Sequence, residues 1–129
     1  MRVARDEWLQ ALKPLATDAH KPYLDVAPWL IVIFSQKRGG IDNYDCDVHG
    51  SVGIATGFLI QACHQVGLAT LTHTPKPMSF LSKICNRDNN NDRPYMLLVV
   101  GYPADDATVP AHALKKKSFE AICTLLTPS

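Results

Sequence analysis

The sequence has no long hydrophobic run. Its longest apolar stretches, Trp29–Phe34 and Met96–Val100, are far shorter than the roughly twenty residues that span a bilayer, and the N-terminus has no secretory hydrophobic region. An excess of one charge is also missing, because 13 basic and 12 acidic residues leave a net charge of +1. That balance gives no strong field for binding nucleic acid or a membrane surface. We therefore expect a soluble, cytoplasmic chain whose partner is a small molecule or a protein, with no nucleic acid and no membrane involved.

Paired cysteines are missing as well. Cys46, Cys63, Cys85 and Cys123 are scattered, and none of them forms the C-x-x-C spacing of a zinc site or a redox dithiol. We expect four reduced cysteines, with Cys63 in the core.

One polar loop combines groups that can bind metal. Asp42, Asp45, Asp47 and His49 offer three carboxylates and an imidazole within eight residues. Their spacing matches neither an EF-hand nor a zinc site, and a solvated acidic loop is the simpler interpretation. No metal is predicted.

The composition is that of a globular chain. With 129 residues, 47% of them apolar, the sequence is long enough to bury a core as a single domain over residues 1–129. Apolar periodicity predicts alternating helices and strands. The helices are expected over 6–16, 18–25, 48–66 and 77–85, with a closing turn over 114–122, and the strands over 29–34, 68–72 and 94–101. This order favours an α/β fold with the sheet between helices.

The helix over 48–66 contains two glycines one turn apart, Gly53 and Gly57. Each costs about 1 kcal/mol relative to alanine, so a close approach by another backbone is expected to offset it. That approach occurs either within one subunit or between two copies of the chain. Gly67 is expected to end the helix in a left-handed conformation.

A polar strand end follows this helix. Thr72, His73 and Thr74 are consecutive side chains that can make hydrogen bonds, and Pro75 ends the strand after them. A flat ligand packed against a sheet needs such groups, although threonines are also ordinary strand residues. The segment therefore suggests a cofactor site.

Four blocks of sequence carry a family resemblance. They are residues 27–34, 51–57, 70–75 and 97–103, the last followed by Val109-Pro110, and they resemble the nitroreductase superfamily, most closely its iodotyrosine deiodinase-like branch. The resemblance runs from about Trp8 to Ile122 and is to the C-terminal part of the family domain, because the family's N-terminal motif for the FMN phosphate has no counterpart here. It implies a truncated nitroreductase-like three-layer sandwich, with a mixed sheet flanked by helices.

The resemblance also implies a cofactor and site residues. Family members are homodimers that hold FMN at the subunit interface, and NAD(P)H commonly supplies electrons. By position, Thr72, His73 and Thr74 would contact the flavin ring, and Lys116 would reach its phosphate as a point charge. Lys21 would contact a substrate carboxylate.

Three functions are consistent with these features. The first is an FMN-dependent oxidoreductase that reduces a nitro, quinone or halogenated aromatic compound with NAD(P)H. The second is a flavin-free hydrolase that uses Cys46, His49, Ser51 or His73, because a fold alone does not fix the chemistry. The third is a non-enzymatic remnant that dimerises through the helix over 50–66 or needs a separately encoded N-terminal half.

Overall fold

The structure, a computed structural model, describes residues 20–36 and 48–126, together with Gln10 and Lys13. These residues fall into two compact units, of which one is Pro22–Ala104 and the other holds the described residues outside that range. The helix predicted over 6–16 lies almost wholly outside the described residues, as does most of the polar loop that contains Asp42, Asp45 and Asp47. The prediction of a single domain stays a prediction.

The first unit alternates helices and strands in the expected order. Its elements are α1 (Tyr23–Val26), β1 (Trp29–Gln36), α2 (Val48–Gln65), β2 (Ala69–His73), α3 (Ser79–Ile84) and β3 (Asp92–Gly101). None of the described helices is long and apolar enough to cross a membrane.

Helix α1 is shorter than the segment predicted over 18–25. Within that segment the described residues His20 and Lys21 are not helical, and the helix begins at Tyr23 after Pro22. The ring of a proline clashes with the backbone of the preceding residue in a helical conformation, which disfavours helix at Lys21.

The three strands form one sheet in the order β1-β3-β2, and β3 is antiparallel to both neighbours. A mixed sheet was expected, but both ladders of the described sheet are antiparallel. The reason is that β3 returns between β1 and β2 and runs opposite to each of them. As a result β1 and β2, which are joined through α2, run in the same direction, and both begin beside the end of β3.

The core forms around β3. Leu97, Leu98, Val99 and Val100 are all buried, with Leu98 completely inaccessible. Such a continuous apolar run is typical of a strand that is covered on both faces. On one face Leu98 and Val100 pack with Cys63 of α2, which confirms the predicted burial of Cys63.

A bulge interrupts the ladder between β1 and β3. Ile33 pairs with Met96 whereas Phe34 pairs with Pro94, so Tyr95 is the extra residue. A bulge is one of the few places where a central strand tolerates proline, which has no N–H to donate. The bulge also explains why Tyr95 contacts α2, where its ring lies 6.0 Å from that of His49.

The two glycines of α2 have different surroundings. A Cβ atom added at Gly53 would lie 3.2 Å from the hydroxyl oxygen of Tyr95, so this glycine permits close packing within the chain. A Cβ atom added at Gly57 would meet no described atom within 4 Å. Gly67 has a φ of +81° after the end of the helix, as predicted.

An arginine stabilises the sheet where β3 begins, and its contacts with Asp92 and Phe34 are called the brace below. The guanidinium of Arg87 lies 2.8 Å from the carboxylate of Asp92, at the start of β3, and 5.5 Å from the centre of the Phe34 ring of β1. The backbone N–H of Arg87 also donates to the carbonyl of Ser82 at 2.8 Å. Because Asp92 is buried, its charge requires this partner.

The second unit contains two short 3-10 turns, Ala111–Leu114 and Phe119–Ala121. The turn predicted over 114–122 is interrupted, because residues 115–118 between the two turns are not helical. These are three lysines and a serine, and four consecutive polar residues provide no apolar side that a helix could bury.

Replacing Leu98 by alanine tests the central position of β3. We expect Leu98→Ala to lower the free energy of unfolding by about 3 kcal/mol, because it leaves a cavity in the core. The measurement is urea denaturation monitored by circular dichroism. Leu126→Ala is the matched control, since this leucine is 90% exposed, and its effect should stay within about 0.5 kcal/mol. Equal effects of the two changes would contradict the described core.

Replacing Arg87 by methionine tests the brace. We expect Arg87→Met to lower the free energy of unfolding by about 1–3 kcal/mol, because it leaves the Asp92 carboxylate buried without its partner. The cost stays below that of a fully buried pair because the Arg87 side chain is 49% exposed. Arg93→Met, at an exposed neighbouring position, is the control. The same denaturation experiment measures both, and an Arg87→Met protein as stable as the control would argue against the brace.

Candidate functional site

The predicted polar strand end lies at the edge of the sheet. Thr72 and His73 are the last residues of β2, and Thr74 follows directly. β2 pairs with β3 on one side only, and no other described strand pairs with its outer side. The side chains of Thr72 and Thr74 are exposed and that of His73 is half-buried. The edge therefore leaves hydroxyl and backbone groups exposed, and their contact with a cofactor stays a prediction.

The register places Thr72 and His73 on opposite faces of the sheet. Thr72 pairs with Leu98, which packs against α2, whereas His73 pairs with Leu97. Residues that are directly opposite in a ladder share a face, and successive residues of a strand alternate between faces. The Thr72 hydroxyl therefore lies on the α2 face and the His73 imidazole on the other. Thr74 lies beyond the strand, where this alternation no longer determines the face.

The imidazole of His73 contacts α1. The ring centres of His73 and Tyr23 are 6.3 Å apart and the ring planes form an angle of 86°, which is the edge-to-face arrangement that aromatic rings favour. Tyr23 is half-buried, and burial raises the pKa of its phenol. Sequence reasoning assigned no role to Tyr23, because no local pattern indicates a contact between residues 50 positions apart.

An open cleft of about 260 Å³ lies between α1 and the sheet. Its walls are mainly apolar and come from α1 and the segment after it, from β2 and from the end of β3: Tyr23, Val26, Ala27, Pro28, Ala69, Thr70, Leu71, Val99, Gly101 and Tyr102. At one end of this cleft Pro28 packs directly against the end of β3. A Cβ atom at Gly101 would lie only 2.9 Å from Cδ of Pro28.

The predicted phosphate contact, Lys116, belongs to the second unit. It is exposed, as are its neighbours Lys115 and Lys117, between the two 3-10 turns. Glu120 follows nearby, and hydrogen bonds from its own backbone N–H and from the Ser118 hydroxyl lower the pKa of its carboxyl group. The segment therefore carries three cations and one carboxylate in water, and it can attract an anion.

The predicted substrate contact, Lys21, is half-buried and directly precedes Pro22, with which the first unit begins. Thr72, His73 and Thr74 lie together in the first unit, whereas Lys21 and Lys116 belong to the second.

The residues proposed for a flavin-free hydrolase are dispersed over several elements. His49 and Ser51 lie in the first turns of α2 and His73 at the end of β2, whereas Cys46 lies outside the described residues. His49 contacts the Tyr95 ring, and His73 contacts the Tyr23 ring. Within residues 20–36 and 48–126, no group of three side chains is arranged to hold a metal ion.

Comparison with known proteins identifies relatives of the chain. It is 50% identical over 117 residues to an iodotyrosine deiodinase of Haliscomenobacter hydrossis, a match that covers 88% of this chain and 52% of the relative. It is 42% identical over 109 residues to an iodotyrosine deiodinase of Daphnia pulex, covering 81% of this chain and 36% of the relative. It is also 40% identical over 119 residues to the human iodotyrosine deiodinase 1, covering 89% of this chain and 40% of the relative. No family model matches the chain.

A solved structure has the same fold. The crystal structure of oxidized iodotyrosine deiodinase bound to FMN and 3-iodo-L-tyrosine matches with a TM-score of 0.66 and 29% identity. The match covers 94% of this chain and 57% of the other. The expected fold class, a nitroreductase-like α/β sandwich, is thereby confirmed.

The chain spans only about half the length of the Haliscomenobacter hydrossis relative, and a smaller share of the other two. This partial coverage fits the predicted resemblance to one part of the family domain. Together with the fold, the sequence identities confirm that resemblance, and the chain is a partial-length relative of the iodotyrosine deiodinase-like branch of the nitroreductase superfamily.

Proposed function

We propose that this protein is an FMN-dependent oxidoreductase that removes halogen reductively from an aromatic compound of the iodotyrosine type. The observation that carries the proposal is its structural similarity, over 94% of the chain, to a deiodinase bound to FMN and 3-iodo-L-tyrosine. NAD(P)H is the proposed source of electrons. In that net reaction, the aryl iodide and NAD(P)H give the deiodinated arene, iodide and NAD(P)⁺.

The end of β2 fits a flavin ring. A flavin has nitrogen and oxygen atoms along one edge, and its hydrogen bonds to a protein adjust its reactivity. The hydroxyls of Thr72 and Thr74 are exposed at a strand edge and can donate or accept such bonds. His73 would contribute through its backbone. When bound, FMN supplies the electron-transfer chemistry that no side chain of the chain provides, and the protein binds and orients it.

Two lysines would bind the charged groups. Lys116 is exposed and lies between two other lysines, and its ammonium group would bind the phosphate as a point charge. Lys21 would pair with the carboxylate of an amino-acid substrate. Both roles rest on the sequence resemblance and are proposed for this chain on that basis.

The exposed face of α2 supports a homodimer. Ile54 and Phe58 lie one turn apart and are 65% and 72% exposed, and no Asp, Glu, Lys or Arg interrupts the helix. Gly57 lies beside them, and a Cβ atom added there would meet no described atom within 4 Å. Because Gly57 weakens the helix without serving any described packing, we infer that it makes room for the backbone of a second copy. Gly53 serves packing within the chain, so under this proposal each of the two predicted alternatives applies to one glycine.

Titration with FMN tests the cofactor proposal. We expect the purified protein to bind FMN, with quenching of flavin fluorescence and a shift in the visible flavin bands. Thr72→Val and Thr74→Val should each raise the FMN dissociation constant about three- to tenfold, because each removes one hydrogen-bonding group without changing the size of the side chain. Thr70→Val, also in β2 but away from the strand end, should leave it within twofold.

Turnover tests the reaction. The FMN-loaded protein should release iodide from 3-iodo-L-tyrosine with NAD(P)H or with dithionite as the reductant. A protein that binds no FMN when it is added would contradict the proposal. Hydrolysis of an ester or amide panel, abolished by His49→Ala or Ser51→Ala, would instead favour the flavin-free enzyme.

Sedimentation equilibrium tests the dimer. We expect a homodimer that Phe58→Glu converts to a monomer, because the change places a charge in an apolar contact. Gly57→Ala should weaken the dimer while raising the stability of the monomer by about 1 kcal/mol, since alanine favours the helix. Ile84→Glu, at a 73% exposed apolar position of α3, is the control and should remain dimeric. A wild-type protein that is monomeric at micromolar concentration would refute the dimer.

A further inference from the structure

The imidazole of His73 and the hydroxyl of Thr72 point away from each other across β2. A flat ring that accepts a hydrogen bond from Thr72 lies on the α2 face or at the edge beside it. The side chain of His73 lies on the opposite face, paired across the ladder with Leu97. Within the polar strand end, Thr72 is thus placed to contact the flavin, whereas His73 contacts α1.

Helix α1 is too short to hold its own position. It has four residues, its N-cap is Pro22 with no side-chain hydrogen bond, and none of its residues is fully buried. A single turn of helix is not stable by itself in water, so contacts with the rest of the protein must determine where it lies.

Two contacts fasten α1 and the segment after it to the sheet. At its start, the Tyr23 ring packs edge-to-face on His73. After its end, Pro28 approaches Gly101 so closely that a Cβ atom there would lie 2.9 Å from the proline ring. Between these two points lies the open cleft of about 260 Å³. The partial burial that raises the pKa of Tyr23 is consistent with its ring being packed.

We propose that His73 is a positioning residue, whose imidazole holds Tyr23 and thereby fixes the start of α1 and the preceding Lys21, instead of contacting the flavin. The link to substrate rests on the proposed function, in which Lys21 contacts the substrate carboxylate. Lys21 is only two residues before Tyr23, and Pro22 between them restricts the backbone, so an anchored Tyr23 limits where Lys21 can lie.

Kinetics of the FMN-loaded protein test this role. His73→Ala and Tyr23→Leu should each raise the KM for 3-iodo-L-tyrosine about three- to tenfold, the effect expected from losing one aromatic pair. The kcat and the FMN dissociation constant should stay within twofold. His73→Phe and Tyr23→Phe, which keep a ring at each position, should restore most of the wild-type KM. Lys83→Ala, at an exposed position of α3, is the control for a general effect of substitution.

The double variant shows whether the two residues act as a pair. His73→Ala combined with Tyr23→Leu should be no worse than either single change, because both remove the same contact. Independent, multiplying effects on KM would overturn the proposal. A tenfold loss of FMN affinity with an unchanged KM would also overturn it, since His73 would then be a flavin contact.

Hydrogen exchange separates this inference from the proposed function. In His73→Ala the backbone amides of residues 23–27 should exchange at least threefold faster than in the wild type, whereas those of β3 should be unchanged. This measurement needs neither FMN nor turnover. If the wild type neither binds FMN nor releases iodide, the proposed function fails. Faster exchange in His73→Ala would still support the anchor, that is, the contact by which His73 holds Tyr23 and the start of α1. Unchanged exchange over residues 23–27 overturns the anchor whatever the activity.

Discussion

The burial of β3 between β1 and β2 is the constraint on which the rest of the first unit depends. Leu97 to Val100 are buried on both faces of the sheet, and α2 covers one of those faces through Cys63. A shift of one residue in the pairing would turn every side chain of a strand to the opposite face. In the observed register Leu98 and Val100 pack against Cys63 of α2. The register in turn determines on which face of the sheet each side chain of the edge strand β2 lies.

This register gives two neighbouring residues of the candidate site different surroundings. Thr72 pairs with Leu98 on the α2 face, and His73 pairs with Leu97 on the face where α1 lies. A polar strand end that looks uniform in the sequence can therefore serve both a ligand and a structural contact. The start of β3 is held by two further contacts. The bulge places Tyr95 against α2, and the Arg87–Asp92 pair lies beside Phe34 of β1.

Much of the fold of the described residues could be predicted from local patterns. The apolar run of β1, the long helix α2, the left-handed Gly67 and the buried Cys63 all follow from the sequence within a few residues of the observed boundaries. These features depend on periodicity and on the conformational freedom of glycine, which short segments carry. The direction of β3 relative to both neighbours was not predicted, because strand order depends on contacts between distant segments. The break in the turn over 114–122 was missed because no periodicity separates a short helix from two 3-10 turns.

The sequence by itself determined the relationship to the iodotyrosine deiodinase-like branch and the location of the polar strand end, since both are carried by consecutive residues. Only the tertiary structure decided what those residues contact. In the structure Gly53 packs against Tyr95, whereas no described atom lies close to Gly57. The structure also brings the ring of Tyr23 into contact with that of His73. The physical reason is that a side chain's direction is set by strand register and helix packing, which arise from burial of the whole core and not from the identity of the neighbouring residues.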